Sequence, residues 1–192
     1  AGLIQEAKKY KTVEEFVNAQ GIEAWHGSRH KIEGELSLAR GGEQGGDITK
    51  NGFTFSTQDV AEKYRYSGLS RDELVKMFGE ADAKAIEDRT SILHGRIKME
   101  NPLLVDASGY DYKSKHYTDQ NEGLRSKAFT EYIKQMEDGG HDGIIFTNVK
   151  DTPGKKADTT VYFIKDAKQF KTVEQLTSIW NKAQEGKVET PK

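Results

Sequence analysis

The feature that most constrains this chain is a short apolar strand that is followed at once by a histidine, a glycine and a serine. Residues 22–25 are predicted as the strand, and its last residue opens the tetrad Trp25-His26-Gly27-Ser28. A second short strand, Phe53-Thr54-Phe55, follows, and Ser56 is predicted to cap a helix that carries Tyr64. A histidine at the end of a short apolar strand is thus followed by an aromatic strand and a helix that carries a tyrosine. No other stretch of the chain combines chemistry and spacing in this way, so these residues are the first candidates for a site.

The rest of the chain predicts the α+β class, with short strands separated by helices. Residues 92–99 alternate apolar and polar side chains, as a half-buried strand does, and residues 144–146 and 161–164 are predicted as further strands. Neither the βαβ rhythm of a Rossmann fold nor its G-x-G-x-x-G motif is found in the sequence. A doubly wound dinucleotide-binding domain is therefore excluded.

Three predicted helices begin with a cap pair, in which a hydroxyl residue precedes Glu or Gln by three positions. These pairs are Thr12 with Glu15, Ser70 with Glu73, and Thr172 with Gln175. Within the helical stretch 70–89, Leu74, Met77 and Phe78 are predicted as the buried side. The chain is predicted to divide into a helical segment 1–21, a main domain 22–171, and a C-terminal helix and tail 172–192.

Composition excludes several classes of site. The chain has no cysteine, so it has no disulfide, thiol nucleophile or thiolate metal site. A formal net charge of -2 gives no broad attraction to nucleic acid or to anionic membranes, and no membrane partner is expected. His26 and His30 are separated by Gly27 and lack carboxylates at ligand spacing, so no metal is expected.

At these residues the chain resembles the ADP-ribosyltransferase superfamily of the diphtheria-toxin and poly(ADP-ribose) polymerase type. It is most similar to the transferase domain of phage-type polyvalent proteins. Residues 25–29 resemble the first motif, residues 52–64 the second, and residues 100–106, 140–145 and 161–171 the later strands, so the resemblance covers roughly residues 22–171. It implies two split antiparallel sheets around a cleft that holds NAD as substrate, with flanking helices and no metal.

The resemblance also implies roles for individual residues. The backbone of Gly27 would bind the nicotinamide carboxamide, Tyr64 would stack on the ring, and His26 would bond a ribose hydroxyl. Ser28, Phe55 and Ser56 would line the same cleft.

Two positions depart from the pattern of the branch that the chain resembles. Thr54 stands where the branch usually has a tyrosine, and Val161 stands where the last strand usually opens with a glutamate. That carboxylate would stabilise the positive charge that develops on the ribose as nicotinamide leaves. Because valine offers neither charge nor a hydrogen bond, the catalytic set implied by resemblance is His26, Tyr64, Thr54 and an atypical residue 161.

The function implied is mono-ADP-ribosyl transfer from NAD to a macromolecule, protein or nucleic acid, in the cytoplasm of a bacterial host reached by phage delivery. Two alternatives stay open at this point: an NAD-binding or interaction module that has lost the chemistry, and an NAD glycohydrolase. The residues themselves also allow plainer interpretations. His26 can be structural, Tyr64 can belong to the core, and Ser28 and Ser56 can be caps or turn formers.

Overall fold

The computed structural model describes residues 2–34, 36–37, 51–109, 122–150 and 159–185, without the side chains of residues 122–128. These residues form seven α-helices and seven strands, which confirms the α+β class. In chain order the elements are α1 (Gly2–Ala7), α2 (Val13–Asn18), β1 (Ile22–Ser28), β2 (Phe53–Phe55), α3 (Gln58–Arg65), α4 (Arg71–Phe78), α5 (Glu80–Arg89), β3 (Ser91–Ile97), β4 (Leu103–Asp106), α6 (Glu122–Asp138), β5 (Ile144–Val149), β6 (Thr159–Ile164), β7 (Phe170–Thr172) and α7 (Val173–Glu185).

The strands form two small sheets. Sheet A has the order β1-β3-β7 and is antiparallel throughout. Sheet B has the order β2-β6-β5-β4, and its last pair, β4 with β5, is parallel. The expectation of purely antiparallel sheets is therefore wrong for this pair. The reason is α6, which carries the chain from the end of β4 back to the start of β5, as a crossover helix does.

Apolar side chains from both sheets form a core between them. This inter-sheet core is made of Ala24, Phe53, Phe55, Ile97, Ile164 and Phe170. The opposite face of sheet B is covered by α6, and the cluster there includes Val105, Phe129, Ile133, Met136, Phe146, Val161 and Phe163. Strand β6 of sheet B contributes to both clusters, through Val161 and Phe163 on one face and Ile164 on the other.

The helices at the two ends of the chain share a third cluster. Ala7, Phe16, Val17, Leu176 and Ala183 are buried together, which packs α1 and α2 on α7. The first and last predicted segments of the chain, 1–21 and 172–192, therefore contribute to one core.

The predicted helix caps form as hydrogen-bonded pairs. The Glu15 backbone N–H donates to Thr12 Oγ1 at 3.2 Å, and Ser70 and Glu73 form a reciprocal capping box. The Thr172 N–H donates to Gln175 Oε1 at 3.0 Å, and the Gln175 N–H donates to Thr172 Oγ1 at 3.2 Å. All three cap predictions are confirmed, since each depends on residues only three positions apart.

The predicted helix over 70–89 is instead two helices, because the chain turns at Gly79 with φ 91°. Leu74 is buried, as predicted. Met77 and Phe78 are 62% and 56% exposed, so the prediction that they lie on the buried side is wrong. Helices α4 and α5 pack through Leu74, which is buried in one cluster with Tyr66 and Ala83. Met77 and Phe78 lie in the last turn of α4 and are not part of this cluster. None of the described helices is both long and apolar enough to cross a membrane.

Replacing Leu176 by alanine is expected to lower the free energy of unfolding by about 2–5 kcal/mol. The side chain is fully buried in the cluster that joins α1 and α2 to α7, so truncation leaves a cavity there. Urea denaturation followed by circular dichroism measures the change. Glu174→Ala, at an exposed position on the same helix, is the matched control and should change stability by less than about 0.5 kcal/mol. Equal stability of the two variants would contradict the packing described here.

Candidate functional site

Backbone hydrogen bonds join the two sheets between Trp25 of β1 and Ser56 at the end of β2. The Trp25 N–H donates to the Ser56 carbonyl at 2.9 Å, and the Ser56 N–H donates to the Trp25 carbonyl at 2.9 Å. The Ser56 hydroxyl is buried and donates to the Thr160 carbonyl on β6 at 2.8 Å. One serine therefore ties strands from both sheets together, and the predicted site residues of β1 and β2 lie around this junction.

The prediction that Ser56 caps α3 is wrong. The cap position is Thr57, whose hydroxyl bonds the Asp59 carboxylate rather than the helix backbone. Ser56 lies one residue before the cap position, and its backbone groups bond Trp25 while its hydroxyl donates to the Thr160 carbonyl.

His26 is held by the backbone of β2. Its Nδ1 lies 2.8 Å from the Thr54 carbonyl oxygen. Because a carbonyl only accepts, Nδ1 carries the proton, and Nε2 of the neutral ring is an acceptor. Burial lowers the pKa of His26 and outweighs the Thr54 bond, which raises it, so the ring is neutral at pH 7. Its ring also packs on that of Phe55, with centroids 5.4 Å apart.

Gly27 lies two residues beyond Trp25, where β1 passes beneath α3. A Cβ added at this position would come within 2.0 Å of the Ala61 carbonyl oxygen, so only glycine fits under the helix. In an antiparallel ladder, backbone groups alternate between the two edges of a strand. The Trp25 groups bond Ser56 and face away from β3, and the Gly27 N–H and C=O face the same way, towards the gap beside β2.

Tyr64 lies on α3, one turn after Ala61. Val60 and Ala61 are buried against β1, whereas Tyr64 is 39% exposed. The alternative that Tyr64 belongs to the core therefore does not hold. Since Ala61 contacts Gly27 directly, the helix that carries Tyr64 lies against the strand that carries His26.

The other residues assigned to the cleft by resemblance have structural contacts. Ser28 Oγ accepts a bond from the His30 N–H at 3.1 Å, which forms the turn after β1. Thr54 acts through its carbonyl on His26. Phe55 is buried between His26 and Phe170, with its ring centroid 4.6 Å from that of Phe170. These three residues shape the junction and orient the histidine.

Val161 is 1% exposed and points into the cluster under α6. It pairs with Phe146 on β5 and lies two residues from Phe163, so both side chains share this buried face. Its neighbours Thr160 and Tyr162 have their side chains on the opposite face, towards the inter-sheet core. The side chain at position 161 is thus part of the packing of sheet B.

One group beside the site was not among the predicted residues. The Trp25 ring stacks on His94 at 4.4 Å and an interplanar angle of 5°, and His94 Nε2 lies 3.0 Å from Glu23 Oε1. The stack fixes the side chain of Trp25, the residue before His26 on β1. The alternation over 92–99 placed His94 on one face of a strand, but pairing of that strand with β1 is not encoded in a local pattern.

Among the described residues, no group of three or more His, Cys, Asp or Glu side chains is arranged to hold a metal ion. Comparison of the chain with protein families, with curated proteins and with solved structures gave no match.

Gly27→Ala is expected to destabilise the fold by about 1–3 kcal/mol, because the new methyl group would overlap the Ala61 carbonyl and displace α3 from β1. Urea denaturation measures the loss. Gly2→Ala is the control, since a Cβ there meets nothing within 4 Å. If Gly27→Ala were as stable as Gly2→Ala, the close approach of α3 to β1 would be wrong.

Lowering the pH is expected to destabilise the fold through His26. The unfolded chain takes up a proton near the ordinary pKa of 6.5, whereas the fold holds the pKa lower. The contribution of His26 to stability is complete above about pH 6.5 and is lost as the pH falls from there to the folded pKa. The slope is at most about 1.4 kcal/mol per pH unit. Unfolding in urea between about pH 8 and pH 4, with His26→Gln as the comparison, isolates this term. If the difference in unfolding free energy between the wild type and His26→Gln did not change with pH, a lowered pKa of His26 in the fold would be contradicted.

Proposed function

We propose that this chain is an NAD-dependent mono-ADP-ribosyltransferase that modifies a macromolecule. The observation that carries the proposal is the junction of β1, β2 and α3. There a neutral histidine and a glycine lie one and two residues after Trp25 on β1, and the helix packed on that strand carries an exposed tyrosine, Tyr64.

Each group suits one part of the nicotinamide riboside. The Gly27 N–H and C=O offer one donor and one acceptor at the edge of β1, which match the oxygen and amino group of a carboxamide. The Tyr64 ring offers a flat face, which favours the cationic pyridinium of NAD over neutral nicotinamide. His26 offers Nε2 as an acceptor for a ribose hydroxyl, because its Nδ1–H is already used by the Thr54 carbonyl.

The proposed reaction breaks the bond between the nicotinamide nitrogen and the ribose carbon. Nicotinamide leaves with the bonding electrons, and the acceptor forms the new bond to carbon and loses a proton. Val161 supplies no carboxylate to stabilise the developing charge, and its side chain is in the core. Loss of one such electrostatic group costs about 10²–10³ in rate. Slow transfer of a single group is therefore favoured over polymer synthesis.

A second candidate is a binding module that holds NAD without turning it over. The buried Val161 favours it, because the binding groups of the junction do not depend on that position. In this case NAD would bind and no nicotinamide would be released.

Tyr64→Ala is expected to weaken NAD binding about 5- to 30-fold, since loss of ring stacking costs about 1–2 kcal/mol. Tyr64→Phe, which keeps the ring, should bind as the wild type does. Phe78→Ala removes an aromatic side chain that is likewise exposed, on α4, and is the matched control. Isothermal titration calorimetry measures the dissociation constants.

Labelled NAD incubated with the protein and a bacterial lysate tests the chemistry. Label on a macromolecule together with nicotinamide release supports the transferase. Nicotinamide release without label identifies a glycohydrolase, and binding without release identifies the binding module. If calorimetry detects no NAD binding, the proposal fails in all three forms.

A further inference from the structure

The last turn of α3, which carries Tyr64, is bonded to α5 through the next residue, Arg65. Arg65 Nε donates to Thr90 Oγ1 at 2.8 Å, and Arg65 Nη2 donates to the Glu87 carbonyl at 2.9 Å. Glu87 lies in the last turn of α5 and Thr90 is its C-terminal cap, where helix carbonyls lack partners within the helix and a cation is favourable. The arginine therefore joins the C-terminal ends of two helices.

Tyr66, the residue after Arg65, is held by the same pair of helices. It is 4% exposed and is buried in one cluster with Leu74 of α4 and Ala83 of α5. Its hydroxyl donates to Glu87 Oε1 at 3.0 Å. Arg71 Nε of α4 donates to the same oxygen at 2.7 Å. The two residues that follow the tyrosine of the site are thus both bound to the α4–α5 pair.

These contacts close a ring around the last turn of α3. On one side, Ala61 of α3 lies on Gly27 of β1. On the other side, Arg65 bonds Thr90, and the next residue of the chain begins β3. Since β3 pairs with β1 along its whole length, both routes lead back to the same strand pair. The place of Tyr64 relative to β1 is therefore set from two directions.

The last turn of α3 needs this support because the helix is short. It has eight residues, and helices of this length are marginal in water and fray at their ends. The chain leaves the helix through Ser67 and Gly68, which both have positive φ, so no further helical turn follows Tyr64. A side chain on a frayed turn must be ordered when a ligand binds, which weakens binding.

We propose that Arg65 is a positioning residue for the NAD site: its two bonds to α5 keep the last turn of α3 formed and hold the Tyr64 ring in place for stacking on nicotinamide. This inference rests on the proposed function. Arg65 acts through Tyr64 and not by contact with NAD. Lysine keeps the charge but has a single nitrogen, so it cannot reproduce the two donors that the planar guanidinium presents.

A double-mutant cycle on NAD affinity tests the proposal. Arg65→Gln is expected to weaken NAD binding about 2- to 10-fold, the effect of having to order one side chain on binding. In a Tyr64→Ala background the same substitution should have no further effect. Arg65→Lys should lie between Arg65→Gln and the wild type. Arg89→Gln, which changes an exposed arginine in the last turn of α5, is the matched control and should bind NAD as the wild type does.

Amide hydrogen exchange of the free protein gives a second readout, which does not require NAD. Arg65→Gln should speed exchange at residues 64–66, because the last turn of α3 opens more often. Exchange in β1 should be unchanged. Equal exchange at residues 64–66 in Arg65→Gln and the wild type would mean that Arg65 does not hold this turn.

The remaining outcomes separate this inference from the proposed function. If Arg65→Gln weakens binding equally with and without the Tyr64 side chain, Arg65 does not act through the tyrosine. If it lowers stability and leaves NAD affinity unchanged, its role is structural only, and the inference fails in both cases. Should Arg65→Gln not fold, Arg65→Lys and Thr90→Val, which removes one acceptor, make the same comparison. A wild type that binds no NAD defeats the proposed function, and the role of Arg65 with it.

Discussion

The pair of backbone bonds between Trp25 and Ser56 is the constraint on which the site depends. The two strands that meet there belong to different sheets, and within the part of the chain that the structure describes this is the one bridge between their edges. Beyond this bridge, the described residues give that edge of β1 no further ladder partner, whereas its other edge pairs with β3 as far as Ser28. The Ser56 hydroxyl adds a bond to β6, which fixes β2 from its other side. The position of His26 relative to Thr54 follows from this junction.

Gly27 is required by the fold before any ligand is considered. The Ala61 carbonyl occupies the space of a Cβ, so α3 can lie on β1 only where a side chain is missing. The same approach brings Tyr64 towards the strand. The glycine therefore sets the distance between the helix that carries the tyrosine and the strand that carries the histidine. For this reason a substitution at Gly27 is expected to change both stability and ligand binding. A substitution at Tyr64 is expected to change ligand binding without changing stability.

Local patterns predicted much of this architecture, and non-local pairing was not predicted. The caps at Thr12, Ser70 and Thr172 follow from residues three positions apart, and β3 follows from alternation over 92–99. Ser56 was taken for a cap because a serine before a helix usually is one, yet its partners lie 31 and 104 residues away. The parallel pairing of β4 with β5 and the face taken by Val161 likewise depend on contacts between distant segments, which no short pattern encodes.

The burial of Val161 changes what the site is expected to contribute to catalysis. Under the proposed function, a neutral His26 and the Gly27 backbone would hold and orient NAD, but neither would supply negative charge to the ribose. Rate enhancement would then come mainly from bringing the two reactants together in the correct orientation, which can account for about 7–11 kcal/mol of a barrier. Such a mechanism depends on the acceptor being held as firmly as NAD.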